Sequence, residues 1–396
     1  MKRYLKKFNI SLEFVRDRVY KCLDTNRWHR RDTSYFLAKY MKEVIERKGK
    51  RVSIHFLARR IRDITYTQKR WILYPLVDYI SIEIYKEIIE HRIELPPIEY
   101  QIRRDSSNGK DREIGIASIK QQVYDYIAVG ACEEMFLKKI GTYQCASLKG
   151  KGQICGKTAI EKWIRNDTKR CKWVYKCDIK KYYPSVAHDL IMAKLKRDIK
   201  NDTVIYLLET LVSSYKTGLC IGSYLCQYLA NYYLSYLYHY LDGFESITHK
   251  LFYMDDIIMF SSNKRKLWNA ISKMKKYLKN ELGLDIKDNE VLFRLDSRPI
   301  DMMGYKIYVA KTTIRKRIYK RMTKVLRKIK TPSISLKTAF KLISYYGYVV
   351  HSNSEKYKNK YKLYKKLKIA KEKISYEAKN GINARVTKLL IPSLPL

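Results

Sequence analysis

The sequence is poor in acidic residues, in glycine and proline, and in long apolar runs. Against 82 Lys and Arg there are only 39 Asp and Glu, which leaves a formal charge of +43 over 396 residues. A surface so positive repels itself, so a small neutral substrate does not account for it. A polyanionic partner would neutralise it, and nucleic acid comes before a membrane surface. An AT-rich genome explains abundant Lys and Ile and the 36 Tyr, but no excess of basic over acidic residues. With 15 Gly, 8 Pro and 46% apolar residues the chain is neither disordered nor fibrous, and it is long enough for two or three compact domains. No apolar stretch approaches the roughly 18 residues of a membrane span. The opening MKRYLKKFNISLEFVRDRVYK breaks its apolar positions with charge, unlike a signal peptide. A cytoplasmic protein with reduced thiols and no membrane partner is expected. The eight cysteines include no C-x-x-C pair and no nearby His at ligand spacing, which argues against zinc. No internal repeat is present.

Residues 1–95 read as basic helices. Phe14, Val15, Val19 and Leu23 recur near helical spacing, and so do the apolar residues from Trp71 to Ile89. Pro96 and Pro97 end this stretch. In 96–170, QIRRDSSNGKDREIGI has two strand-like arms around a Ser-Ser-Asn-Gly turn, with cations on both arms, and a helix is expected from Ile119 to Phe136. The loop with Gly150, Gly152 and Gly156 lacks the G-x-x-x-x-G-K-[ST] spacing of a phosphate-binding loop and is read as a plain loop leading into a helix. Residues 171–310 alternate short strands (KWVYKCDI, the two arms of LFYMDDIIMF, LDIK, VLFRL, MMGYKIYV) with helices, among them Val204 to Tyr215 and Lys264 to Leu282. That is an α+β pattern with antiparallel strands, not the regular βαβα of a doubly wound sheet. Residues 311–396 are very basic and helical, with a helix near Leu336 to Val350 and a Lys/Tyr-rich tail.

The residues that carry chemistry are acidic. In Phe252-Tyr253-Met254-Asp255-Asp256-Ile257 two adjacent carboxylates sit at the tip of an apolar hairpin, and Asp178 ends another apolar strand. An Asp-Asp pair alone is common turn chemistry. Three carboxylates converging at one sheet edge repel each other unless cations lie between them. Oxygen-only ligands suit two Mg²⁺ ions, with Mn²⁺ as a substitute, able to activate a 3′-hydroxyl and stabilise a leaving pyrophosphate.

Tyr253-Met254-Asp255-Asp256 is similar to the Y-x-D-D signature of reverse transcriptases. Asp178-Ile179-Lys180-Lys181-Tyr182-Tyr183-Pro184-Ser185-Val186 resembles their first catalytic motif as standalone bacterial and phage enzymes write it. The resemblance covers about residues 96 to 310. It implies a right-hand polymerase: fingers at 96–170, an RRM-like antiparallel palm at 171–310 and a helical thumb at 311–396, with 1–95 as a basic helical extension. It makes Asp178, Asp255 and Asp256 the catalytic acids, with Asp178, Asp255 and the Ile179 carbonyl on metal. It makes Tyr183 the steric gate against a ribose 2′-hydroxyl.

The same resemblance extends to further motifs. Arg112 corresponds to the arginine that clamps the incoming triphosphate, with Lys110 or one of Arg103 and Arg104 as a second cation. Ile221, Gly222 and Gln227 occupy the motif that packs on the nascent base pair, and Asn231 fits the helix after it. Ile221-Gly222 followed by Cys226-Gln227 is similar to the form found in diversity-generating retroelements, with Cys where those have Ser. Lys287 corresponds to the lysine that protonates pyrophosphate. Met303 and Gly304 correspond to the hairpin that grips the primer end, and Tyr253, Met254, Arg315, Arg317 and Arg321 to nucleic-acid contacts.

The expected activity is therefore RNA-directed DNA synthesis from deoxynucleoside triphosphates, with an RNA template, a DNA primer and product, and a bacterial or phage-infected cytoplasm. The basic N-terminal region favours a structured noncoding RNA as template and an antiphage defence setting. The alternatives are an error-prone enzyme of a diversity-generating retroelement and, from another class, a non-catalytic RNA-binding scaffold, against which the intact acids argue. Priming mode and oligomeric state do not follow from the sequence.

Overall fold

The structure is a computed structural model that describes residues 4–23, 27–64, 66–104, 109, 111–329 and 334–379. In chain order its elements begin with α1 (Leu12–Leu23), α2 (Arg31–Glu46), α3 (Ile54–Asp63), α4 (Tyr66–Ile89), the strands β1 (Glu99–Arg104) and β2 (Asp111–Ile116), α5 (Ile119–Ala131), α6 (Glu133–Lys139) and α7 (Gln153–Asn166). Then come β3 (Trp173–Asp178), α8 (Tyr182–Ser185), α9 (His188–Asp198), α10 (Asp202–Ser213), α11 (Tyr224–Tyr240), β4 (His249–Tyr253), β5 (Asp256–Ser261) and α12 (Lys264–Leu282). The chain ends on β6 (Val291–Arg294), β7 (Ile300–Met302), β8 (Tyr305–Ile307), β9 (Thr312–Ile314), α13 (Lys316–Lys328), α14 (Leu336–Val350), α15 (Glu355–Lys360) and α16 (Leu363–Lys379).

Two compact units share the chain: Met1–Ser147, Ile179–Gly243 and Lys273–Ile286 form the first, and Leu148–Asp178, Phe244–Ser272 and Lys287–Leu396 the second.

In the first unit the N-terminal helices pack onto the elements that follow them. Val15, Val19, Cys22 and Leu23 bury one face of α1, which packs against α4 and α5. The segment before α1 is pinned by Tyr4 N donating to Asp198 O (2.7 Å) and Asn201 Nδ2 donating to Phe8 O (2.6 Å). Buried Asp198 accepts the Tyr232 hydroxyl (2.9 Å) and pairs with Lys139 (2.8 Å). These partners are what a buried carboxylate requires. The helix expected from Ile119 to Phe136 is broken at Cys132, whose φ of −91° and ψ of 4° lie outside the helical region, so α5 and α6 are separate.

The second unit is built on an antiparallel four-stranded sheet in the order β4-β5-β3-β6 and a three-stranded sheet β7-β8-β9. LDIK is not a strand: it meets Ile179 through an isolated Ile179–Ile286 bridge. The helices α13, α14, α15 and α16 share a separate core of Met322, Leu326, Ala339, Leu342, Val349, Leu363 and Ala370.

Candidate active site

β3 runs Trp173-Val174-Tyr175-Lys176-Cys177-Asp178, with Val174, Tyr175 and Cys177 buried. Successive side chains in a strand point to opposite faces, so Lys176 and Asp178 share one face. The β3–β5 register sets Asp178 directly opposite Asp256 and Cys177 opposite Ile257. On its other side Asp256 pairs with Tyr253 of β4, leaving Met254 and Asp255 as a two-residue turn. Met254 has φ of +57°, the backbone that a tight two-residue hairpin demands of its first turn residue. For a side chain with a Cβ this stores about 1–3 kcal/mol of strain, held by the paired strands on both sides.

The three carboxylates are half-buried and face one another. Burial, and then the charge of Asp178, push the Asp255 carboxyl up to about 7. Asp256 is also raised by burial, an effect partly offset by Lys176, whose Nζ lies 2.7 Å from Asp256 Oδ1 as an ion pair without the alignment of a hydrogen bond. Lys287 Nζ ion-pairs with Asp178 Oδ2, and Lys287 N donates to Asp178 O (2.8 Å). Among the described residues no three Asp, Glu, His or Cys side chains form a ready metal cage. The donors nevertheless suit hard divalent cations. They are all oxygens, one acid is raised by burial and by the charge of Asp178 beside it, and a buried Asp256 oxygen has no hydrogen bond. The Ile179 bridge is bracketed by Lys180 N to Asp285 O and Lys287 N to Asp178 O (both 2.8 Å), neither of which uses the Ile179 carbonyl.

Sequence reasoning missed Lys176, two positions before Asp178 on the same strand face, a spacing that could have signalled it. It also missed the cavity of about 480 Å³ beside Asp178, lined by Lys176, Asn289, Arg298, Asp301, Lys306 and Arg315. Arg315 is held there by its Nε bond to Asp301 Oδ1 (2.5 Å).

In the first unit, several expected nucleotide-binding residues come together. Arg112 stands directly opposite Arg103 in the β1–β2 ladder. Like charges so placed are unfavourable in a sheet. Gly115 N of β2 donates to Ile221 O (2.9 Å), and a Cβ on Gly222, whose φ is +119°, would sit 2.5 Å from Gly115 O. The loop is also joined to Tyr183, since Leu219 N donates to Tyr183 O (2.8 Å) and a Cβ on Gly218 would meet that carbonyl at 2.5 Å. Cys226 is buried, and its sulfur accepts from Cys220 N (3.2 Å), so the cysteine at the usual serine position helps to close the loop. Gln227 is half-buried on α11. Asn231 is structural in its contacts: its Nδ2 donates to Ala146 O (3.0 Å) and Gln227 O (2.9 Å). A further residue missed from sequence is Asp125. It is fully buried, and its Oδ2 accepts from Ser223 Oγ (2.8 Å), Tyr224 N (3.1 Å) and Leu225 N (3.4 Å), capping α11 where the motif begins.

Lys110 lies outside the described residues. Tyr253 is half-buried at the end of β4. Met303 and Gly304 form the β7–β8 turn with φ of +52° and +86°, but they are buried in the second unit rather than presented at its surface: a Cβ on Gly156 would meet Met303 Sδ at 2.7 Å, and one on Gly304 the Tyr348 ring at 2.5 Å. Arg317 is exposed on α13 and Arg321 is partly so, while Met322, Thr323, Val325 and Leu326 bury the opposite side.

The sequence model of the family described as reverse transcriptase (RNA-dependent DNA polymerase) matches residues 102–307, from the β1 arm through both aspartate motifs to the end of β8. The chain belongs to the reverse transcriptase family. It is an RNA-directed DNA polymerase, and its α+β organisation is the right-hand polymerase fold of that family. Members of the family use divalent metal ions, to which the oxygen donors above are suited.

Among solved structures the chain is similar to apo telomerase from Candida tropicalis, at 11% identity over 85% of this chain and 75% of that one, with a TM-score of 0.44. It is also similar to telomerase from Candida albicans in complex with a TWJ fragment of telomeric RNA, at 10% identity over 76% of this chain and 62% of that one, with a TM-score of 0.44. No curated protein matches the chain.

Proposed function

We propose that this reverse transcriptase makes DNA on a structured noncoding RNA by two-metal nucleotidyl transfer, with Asp178, Asp255 and the Ile179 carbonyl holding Mg²⁺. The observation that carries this reading is the register pairing of Asp178 with Asp256 beside the strained turn that presents Asp255. When bound, the ions lower the pKa of the primer 3′-hydroxyl and neutralise charge on the leaving pyrophosphate. The protein's own side chains do the rest. Lys176 offsets part of the burial that raises Asp256, and Lys287 stands at Asp178, from where its ammonium can exchange its carboxylate for pyrophosphate and give it a proton. Arg112, opposite Arg103, clamps the triphosphate, since a planar guanidinium matches phosphate oxygens. Tyr183 sets the space left for the sugar, and the Ile221–Gly222 loop, joined to β2, sets the shape of the base-pair pocket.

The division into fingers, palm, thumb and N-terminal extension at residues 95, 170 and 310 is part of this proposal, as is the cytoplasmic location. A setting in antiphage defence is supported by the basic N-terminal helices, which carry more cations than a template–primer footprint needs. A second reading, mutagenic synthesis in a diversity-generating retroelement, is favoured by Ile221 where many relatives place a polar glutamine. Sequencing the nucleic acid that copurifies with the protein tests both. A single structured RNA with its complementary DNA supports the first reading, a template repeat with scattered substitutions the second, and the absence of any complementary DNA contradicts both.

A further inference from the structure

From Lys311 to the end of the chain the only acidic residues are Glu355, Glu372 and Glu377. Part of the positive charge there lies on α13, which the proposed function assigns to a template–primer duplex. The last described helix does not share that explanation. On α16, Leu363, Leu367, Ala370 and Ile374 are buried, at the spacing of one face. The exposed arc carries Tyr364, Lys365, Lys368, Lys371, Glu372 and Tyr376. The lysines at i, i+3 and i+6 repel one another in an isolated helix, and among the described residues no carboxylate pairs with any of the three. A merely solvated helix of this kind alternates Lys with Glu on its outer face, whereas this arc holds a single acid.

The tyrosines are the second observation. Tyr364 is 55% exposed and Tyr376 61%, although their rings would gain by burial. Both rings are braced. Tyr364 lies edge-on to Tyr346 of α14 at 6.4 Å, and Lys373 sits 5.8 Å from the Tyr376 ring while pairing with Glu377 at 2.8 Å. Lys366, on the flank, is committed to the fold through its bond to Leu326 O (2.7 Å) at the end of α13, which keeps it off the arc. Two exposed aromatic rings, twelve residues and thus about 18 Å apart along the helix, with three unpaired cations between them, form the combination that holds a single strand: rings for base stacking and cations for phosphates.

We propose that the outer face of α16 binds single-stranded RNA, separately from the groove that holds the template–primer duplex. RNA is the occupant because RNA-directed synthesis carries an uncopied, unpaired length of RNA template until the template end is reached, whereas its DNA product leaves in a duplex. Stacking on Tyr364 and Tyr376 fixes the strand, and Lys365, Lys368 and Lys371 follow its backbone.

The test uses the full chain with three fluorescent probes: a twelve-nucleotide oligouridylate, the DNA strand of matching length, and a blunt RNA/DNA duplex. The Tyr364→Ala/Tyr376→Ala variant should bind the oligouridylate about tenfold more weakly, on the scale of lost base stacking, with duplex binding and thermal melting unchanged. Tyr364→Phe/Tyr376→Phe should restore binding, because the ring is kept. Lys365→Gln/Lys368→Gln/Lys371→Gln should flatten the salt dependence of oligouridylate binding. Unchanged oligouridylate binding in the alanine variant, an equal loss on the duplex, a loss confined to the DNA strand, or failure of the phenylalanine variant to restore binding would each overturn the proposal.

Discussion

Asp178 and Asp256 are cross-strand partners at the end of the β3–β5 ladder, and among the described residues the cations paired with them are two lysines, Lys287 on Asp178 and Lys176 on Asp256. The pairing brings like charges together where a sheet would ordinarily avoid them, and under the proposed metal assignment Lys287 and a metal ion would compete for Asp178.

Lys176 is predicted to matter through Asp256. Lys176→Met removes the cation while keeping the stem, which leaves Asp256 buried and raised further. The acid limb of the activity–pH profile should then move to higher pH relative to the wild type. A profile that drops in height without moving would assign Lys176 to packing alone.

Asp255 makes the metal-free protein sensitive to pH. Its carboxyl is raised to about 7, above the usual 4 of an unfolded chain. The native state therefore holds a proton that the unfolded state has lost, and stability falls as pH rises from about 4 to 7. In EDTA, Tm should be lower at pH 8 than at pH 5.5. Mg²⁺ should raise Tm more at pH 8, and Asp255→Asn should flatten the slope. Asp125, also raised to about 7 by burial, adds to the same slope, so the Asn variant should retain part of it.

Asp125 should also position the base-pair loop. Asp125→Asn keeps an acceptor for Ser223 and the backbone of α11 and should leave extension nearly unchanged while gaining stability above pH 7. Asp125→Ala leaves those donors unmet and should cost about 1–2 kcal/mol, as a lost N-cap does, together with a raised KM for nucleotide. Equal behaviour of the two variants in chemical denaturation would contradict the capping role.

Tyr183→Val should raise ribonucleotide incorporation by on the order of ten- to a hundredfold, the range for relieving one steric contact in a pocket. Ile221→Gln should lower misincorporation by restoring a polar contact at the nascent pair. Sequencing of the products checks both, and an unchanged error spectrum in the second variant would remove Ile221 from base selection.

Much of this was legible in the sequence because its signals were local. Periodicity located α12 and α14 at their observed ends, and the apolar arms around Asp255-Asp256 located β4 and β5. The break at Cys132 was not legible, because nothing in the composition of α5 marks it. The contacts of Asp125 with Ser223, and of Gly115 with Ile221, span about a hundred residues of chain, and no local pattern encodes such a pairing. Met303 and Gly304 correspond by resemblance to a primer-gripping hairpin, and the sequence carries no sign of how buried that turn is. Their burial comes from Gly156 of α7 and Tyr348 of α14 closing over the turn, which only the fold reveals.

The most direct test of the account is primer extension on an RNA template with deoxynucleotides and Mg²⁺, wild type against Asp255→Ala. The wild type should extend the primer and stop when EDTA is added, and Asp255→Ala should fall by at least about a hundredfold, as expected on losing a preorganised electrostatic contact in the transition state, while still binding the template–primer. Extension that persists in Asp255→Ala, or a wild type that binds template–primer and extends nothing with any divalent ion, would contradict it.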